Sequence, residues 1–107
     1  MILEKDFQAV VVELAKWAGW HVYHALPVQN TNGRWRTAMV GHVGFPDLVL
    51  AHAQRGVIFA ELKTSIGKLS NAQHEWLTIL KAAGAETYVW RPTDLAQIKL
   101  ILTEGTK

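Results

Sequence analysis

The sequence predicts an α/β (or α+β) domain in which helices flank a mixed four-stranded sheet. Hydrophobic periodicity gives the order helix, three strands, helix, strand, helix. Two of the strands are joined by a link short enough for an antiparallel hairpin, and the helix between the last two strands makes a parallel crossover. The 107 residues suit a single domain, 1–107, and half of them are hydrophobic, as in globular proteins.

The first helix is predicted over residues 3–18 from an apolar arc at about 100° per residue. The arc consists of Leu3, Phe7, Val10, Val11, Leu14, Trp17 and Ala18. Gly19 ends the helix, and residues 21–26 form an apolar strand that Pro27 stops.

The segment 27–44 is predicted to be irregular. Asn32-Gly33 is a turn signal that suits a hairpin tip. Gly41 and Gly44 indicate that backbone freedom is needed just before the next strand.

Strands are predicted at 45–51, 57–63 and 86–90, the first two forming the hairpin. Ser70 begins a helix over 70–83, because Ser70 and Gln73 fit the S-x-x-Q capping box. Pro92 ends the last strand, and Thr93 or Asp94 caps a final helix through Leu102.

Charged residues occur where the two hairpin strands otherwise read as buried. Glu61 and Lys63 share a strand face with Val57 and Phe59, and this strand is predicted to be buried on both faces. In an antiparallel hairpin Asp47 falls beside them. Two neighbouring carboxylates suit Mg²⁺, and a lysine on the same face can stabilise developing negative charge. The ordinary alternative is a salt bridge or a solvated strand end.

The stretches GFPDLVL, VIFAELK and KLSNAQHEWLTILKAAGAETYV resemble the VRR-NUC family (virus-type replication-repair nuclease) of the PD-(D/E)XK nuclease superfamily. The resemblance is strong over residues 41–91 and weaker over the first helix. It implies a restriction-endonuclease-like αβββαβ core and hydrolysis of DNA phosphodiesters with Mg²⁺ or Mn²⁺. The family name suggests a phage context.

The resemblance also implies roles for individual residues. Asp47 and Glu61 would be metal ligands, joined by the backbone carbonyl of Leu62, and Lys63 would be the catalytic lysine. Gln73 matches a glutamine of the family, although the capping box explains it equally well.

The family's opening, an acidic residue followed four positions later by glutamine, matches Glu4 and Gln8 on the first helix. These two lie along one edge of the apolar arc, whereas Asp6 and Glu13 lie along the other. We therefore favour Glu4 and Gln8 as additional site residues, with Glu13 as a solvated helix residue.

DNA binding requires cations near the cleft, since the formal net charge of +2 does not by itself indicate a nucleic-acid partner. The segment 34–36 after the glycine turn suits backbone contact and base stacking, although a hairpin edge or a dimer contact explains it as well. The candidates for DNA contact are Arg34, Trp35, Arg36, His42, Arg55, Lys68 and Arg91.

The chain contains no cysteine, which excludes disulfides and thiolate chemistry. A signal peptide and an apolar run of about 20 residues are also absent, so we expect a cytoplasmic protein that does not contact membranes.

The leading hypothesis is a structure-specific endonuclease, in its sharpest form a homodimeric Holliday-junction resolvase acting on branched DNA. The alternative is a catalytically inactive nucleic-acid-binding module of the same fold. A structural domain with an ion-pair network is the weakest of the three.

Overall fold

The computed structural model describes residues 3–26, 28–29, 31–33, 35–36 and 39–104, with backbone alone for 28–29 and 35–36. The helices are α1 (Glu4–Trp17), α2 (Asn71–Ala82) and α3 (Leu95–Glu104), and the strands are β1 (His21–His24), β2 (Val28–Gln29), β3 (Trp35–Arg36), β4 (Leu48–His52), β5 (Gly56–Leu62) and β6 (Glu86–Trp90). A short 3₁₀ turn, Pro92–Asp94, leads into α3.

The four-stranded sheet has the order β1-β4-β5-β6. Its first two pairings are antiparallel, and β5 pairs with β6 in parallel across the α2 crossover. This arrangement confirms the predicted mixed sheet. The strands β2 and β3 form a separate antiparallel hairpin around the Asn32-Gly33 turn.

β4 begins at Leu48, three residues later than predicted. Pro46 has no N–H to donate to a sheet ladder. Beyond the last paired residues, Leu48 and Ala60, the side chain of Asp47 takes over and its Oδ2 accepts the backbone N–H of Leu62 at 2.8 Å. The backbone pairing of β4 with β5 therefore ends at Leu48, and the next hydrogen bond between the two segments uses the Asp47 side chain.

The main core lies on one face of the sheet, beneath α1 and α3. Alternate residues of β4 and β5 point into it, as strand geometry requires. Its fully buried members are Phe7, Val11, Ala15, Leu48, Leu50, Ala60, Leu62, Ile98 and Leu102, with Ile58 nearly so. Burial of these large aliphatic and aromatic side chains is the main stabilising contribution to the fold.

The predicted apolar arc of α1 is wrong along one side. The buried stripe is Phe7, Val11 and Ala15, whereas Leu3, Val10 and Trp17 are 65%, 43% and 76% exposed. Hydrophobic periodicity favours large apolar side chains such as Trp17 for the buried face. In the structure the small Ala15 occupies that face, where α1 packs against the sheet.

The predicted burial of both faces of β5 is also only partly right. Val57 is 46% exposed, and Phe59 is half-buried. The face that carries Phe59 and Glu61 is covered by α2, none of whose residues is itself buried in the described structure. This second layer is thin, so its one fully enclosed polar side chain, Glu61, stands out.

Gly41 and Gly44 both have positive φ, of 114° and 94°, which confirms the predicted need for backbone freedom. A Cβ on Gly44 would lie 2.6 Å from the backbone carbon of Ala72, at the start of α2, whereas a Cβ on Gly41 would meet no described atom within 4 Å. The loop before Asp47 is therefore seated directly on α2.

We expect Gly44→Ala to lower the free energy of unfolding by about 2–4 kcal/mol, because it adds a backbone clash to the φ strain. Gly41→Ala should cost only about 1–2 kcal/mol, since it carries the strain alone. Urea unfolding of both variants measures the difference. Equal losses would contradict the close seating of the loop.

None of the helices in the described residues is long and apolar enough to cross a membrane.

Candidate active site

The site lies where β4 begins and β5 ends. The antiparallel pairing of Leu48 with Ala60 places Asp47 beside Glu61. Lys63 follows β5 and points to the same face as Glu61, with its Nζ 3.9 Å from Glu61 Oε2. The hairpin thus brings together the three residues that the sequence singled out.

Glu61 is the feature of this site that most needs an explanation, because it is a carboxyl only 2% exposed. Its Oε2 accepts a hydrogen bond from Gln73 Nε2 at 2.9 Å. Its Oε1 is buried and has no hydrogen-bond partner in the described part of the chain. A buried polar atom without a partner is costly and rare in native proteins. When Glu61 is protonated it can share its proton with the Asp47 carboxylate, and when it is ionised this oxygen is available to a cation.

Burial and then the neighbouring Asp47 carboxylate raise the pKa of Glu61 to about 8, while Lys63 offsets this only in part. Without a further cation, Glu61 therefore carries a proton at neutral pH. A divalent ion bound here would displace that proton and satisfy the second oxygen.

Gln73 makes the predicted capping box and also bonds to Glu61, while its catalytic role stays a prediction. Its Oε1 accepts the Ser70 backbone N–H at 2.9 Å, and Ser70 Oγ accepts the Gln73 N–H at 3.1 Å, which completes the capping box. Its Nε2 remains free for Glu61. Because one amide group has both an acceptor and donors, the start of α2 fixes the orientation of the Glu61 carboxyl.

The donor set fits a hard divalent cation. Asp47 and Glu61 offer carboxylate oxygens side by side. Within the described residues no third His, Cys, Asp or Glu side chain joins them in a cluster able to hold a metal. Mg²⁺ and Mn²⁺ prefer oxygen, and Mg²⁺ keeps several waters and often takes substrate phosphate as a ligand. A site with two carboxylates suits this behaviour, and the Leu62 carbonyl stays a predicted further ligand.

The residues predicted on α1 are not joined to this cluster by hydrogen bonds. Glu4 is exposed at the start of the helix, and Gln8 is half-buried beside the buried stripe. In the described structure neither bonds to Asp47, Glu61 or Lys63. Glu13 is exposed on the opposite side of the helix. Glu4 and Gln8 therefore stay predictions, on the side of α1 that faces the sheet.

Several predicted DNA contacts remain untested. Arg34 and the side chains of Trp35 and Arg36 lie outside the described residues. Lys68 is exposed in the loop between β5 and α2. His42 is exposed, and its backbone carbonyl accepts the indole N–H of Trp76 at 3.2 Å.

Arg55, considered above for DNA contact, instead binds within the protein. Its Nη2 donates to the Ile101 carbonyl at 2.8 Å, and its guanidinium lies 5.5 Å from the Trp20 ring centroid. Trp20 Nε1 donates to the Leu102 carbonyl at 2.9 Å. Both contacts satisfy carbonyls near the end of α3, which helix geometry leaves without partners.

Arg91 also binds internally, but close to the site. Its Nη1 donates to the carbonyls of Thr64 and Gly67, both at 2.6 Å. The loop that follows Lys63 is thereby tied to the end of β6. Sequence reasoning missed this positioning role, because an arginine whose acceptors are distant backbone carbonyls leaves no pattern in the sequence.

A mixed sheet with Pro46-Asp47 just before one strand and Glu61-Leu62-Lys63 at the end of its neighbour is typical of a domain of the PD-(D/E)XK nuclease type. Residues 28–93 match the family model of the VRR-NUC domain, and the chain belongs to that family. The fold is similar to a solved structure described as a VRR_NUC domain protein, with a TM-score of 0.62 and 20% sequence identity. The match covers 94% of this chain and 90% of the other. No curated protein matches the chain.

Proposed function

We propose that this protein is a Mg²⁺- or Mn²⁺-dependent endonuclease that hydrolyses DNA phosphodiester bonds. Membership of the VRR-NUC family supports a nuclease. The single observation that carries the metal dependence is the buried Glu61 Oε1 without a partner, next to the Asp47 carboxylate.

In the proposed mechanism, Asp47 and Glu61 hold the metal, together with the Leu62 carbonyl. When bound, the ion supplies Lewis-acid polarisation of the scissile phosphate and a lower pKa for the attacking water. The Leu62 N–H fixes the Asp47 carboxylate, and Gln73 fixes that of Glu61. Both ligands are thus oriented before substrate arrives, which is how surrounding hydrogen bonds tune a metal site.

Lys63 provides the positive charge that does not depend on the ion. Its side chain is 16% exposed, and its Nζ lies 3.9 Å from Glu61 Oε2. There it can hold the attacking water and stabilise charge that develops on the phosphoryl oxygens. Lys68 and His42 would contact flanking phosphates, and Glu4 and Gln8 would complete the site from α1.

Cleavage of a labelled four-way junction and a matched linear duplex, with Mg²⁺, with Mn²⁺ and with chelator, tests this proposal. Metal-dependent cutting that is lost in Lys63→Met would support it. Metal-independent binding of DNA without any cutting would favour the inactive binding module instead. Cutting of the junction alone would establish branched DNA as the substrate.

We further propose that the active form is a homodimer. Leu3, Val10 and Trp17 recur every seven residues and form an exposed apolar stripe along α1. A stripe of this spacing is suited to packing against a second helix. Two copies would give two active sites, as resolution of a branched junction requires.

Trp17→Glu is expected to shift the solution mass from about twice 12.0 kDa to 12.0 kDa, because it places a charge in the stripe. Light scattering measures the mass, and Lys16→Glu on the exposed side of the same turn is the control. A wild-type monomer at working concentration would contradict the dimer.

A further inference from the structure

A groove of about 730 Å³ opens beside the proposed catalytic residues, and of its lining only Asp47 and His42 have a role in the proposed mechanism. It lies between the end of β1, the loop that precedes β4, and α2. The large apolar and aromatic side chains of its lining include Tyr23, Met39, Val43, Phe45 and Trp76, and His42 and Asp47 line it as well. The groove and the site therefore share a residue.

The walls are apolar and aromatic, yet they are open to solvent. Tyr23 is 60% exposed, Val43 66%, Met39 47% and Phe45 41%. A concave surface lined mainly by hydrophobic and aromatic side chains is typical of ligand-binding sites. Among the described lining residues there is no lysine or arginine, and Asp47 is the one carboxylate. Apart from His42, no side chain of this lining can offer a backbone phosphate a positive charge, whereas the flat, uncharged face of a nucleobase finds a matching apolar surface.

Two of the three aromatic rings in the lining, Phe45 and Trp76, are also held in place. Phe45 packs edge-on against Phe59 and Trp76, with ring centroids 6.0 Å and 5.0 Å away. The Trp76 indole is further fixed by its hydrogen bond to the His42 carbonyl. A rigid aromatic surface loses little entropy when a ligand stacks on it.

We propose that this groove binds unpaired nucleobases of the DNA strand that is cut, next to the scissile phosphate. The proposal rests on the function proposed above, since Asp47 joins the groove to the phosphate site. In a paired duplex the base faces are covered by their stacked neighbours. DNA with unpaired nucleotides beside the cleavage point is therefore the preferred substrate, because base–aromatic stacking tolerates any sequence.

Two DNAs of equal length test the groove, one fully paired and one with a short unpaired segment carrying 2-aminopurine, a base whose fluorescence is quenched on stacking. Wild type and Tyr23→Phe should quench the signal. Tyr23→Ala should bind the unpaired DNA roughly fivefold or more weakly, with little change for paired DNA. Leu100→Ala, at an apolar position 47% exposed on α3 and outside the groove, is the control and should match wild type.

Equal affinity of wild type for the two DNAs, or equal weakening in Tyr23→Ala and Leu100→Ala, would overturn the groove proposal. Cleavage in Mg²⁺ is measured in parallel to separate the two proposals. Cutting without any preference for the unpaired DNA would leave the nuclease intact and refute the groove. Quenching and binding without cutting would support the groove and refute the nuclease.

Discussion

Replacing Asp47 with asparagine is expected to reduce DNA cleavage at least about a hundredfold while leaving the fold intact. The amide has one oxygen that can still accept the Leu62 N–H, but it has lost the negative charge that a metal ligand needs. Asp47→Ala should lose the same activity and, in addition, about 1–3 kcal/mol of unfolding free energy, because the Leu62 N–H is left without its acceptor.

The comparison needs cleavage rates and urea unfolding curves for both variants. Wild-type stability in Asp47→Asn, within about 0.5 kcal/mol, would show that its lost activity is chemical and not a folding defect. Substantial cleavage by Asp47→Asn would remove this carboxylate from the catalytic site.

Glu61→Gln should abolish metal-dependent cleavage and, at the same time, make the metal-free protein more stable at pH 8. The folded pKa of Glu61 is raised from 4.5 to about 8. A group with a raised folded pKa binds its proton more tightly in the folded state. Its contribution is therefore fully present below pH 4.5 and is lost as the pH rises through 8.

Wild-type stability in chelator should thus fall between pH 5 and pH 8, and Glu61→Gln should remove about 2–4 kcal/mol of that fall. Glutamine keeps an oxygen for Gln73 and never ionises. Thermal or urea unfolding across this range measures the slope. Identical slopes in wild type and Glu61→Gln would show that Glu61 is not the titrating group.

The sheet and the proximity of Asp47, Glu61 and Lys63 could be predicted because they depend on local patterns. The alternation of side chains put Glu61 and Lys63 on one face, and the short hairpin link put Asp47 beside them. These rules concern neighbours in sequence or across a tight turn, where geometry leaves few choices.

Contacts with backbone groups far along the chain could not be predicted in this way. The sequence suggested Arg55 and Arg91 as cations available for DNA contact, yet each donates hydrogen bonds to backbone carbonyls at least 24 residues away. The two roles of Gln73 appeared as alternatives, because sequence does not show that one amide reaches both Ser70 and Glu61.

The inward face of α1 and the aromatic groove depend on three-dimensional packing. Trp17 has the larger apolar side chain, but it is exposed, whereas the small Ala15 of α1 is buried. The groove gathers Tyr23, Phe45 and Trp76 from three separate segments, and none of these segments carries a recognisable motif by itself.

The central claim is that Asp47 and Glu61 form a divalent-cation site in which Glu61 Oε1 is a ligand of the ion. Calorimetric titration of Mn²⁺ at pH 7, in buffers of different ionisation enthalpy, gives the number of protons released on binding. Since the pKa of Glu61 is about 8, wild type should release close to one proton per bound ion, and Glu61→Gln should bind weakly and release none. Binding of Mn²⁺ without proton release, or with equal affinity in Glu61→Gln, would contradict the claim.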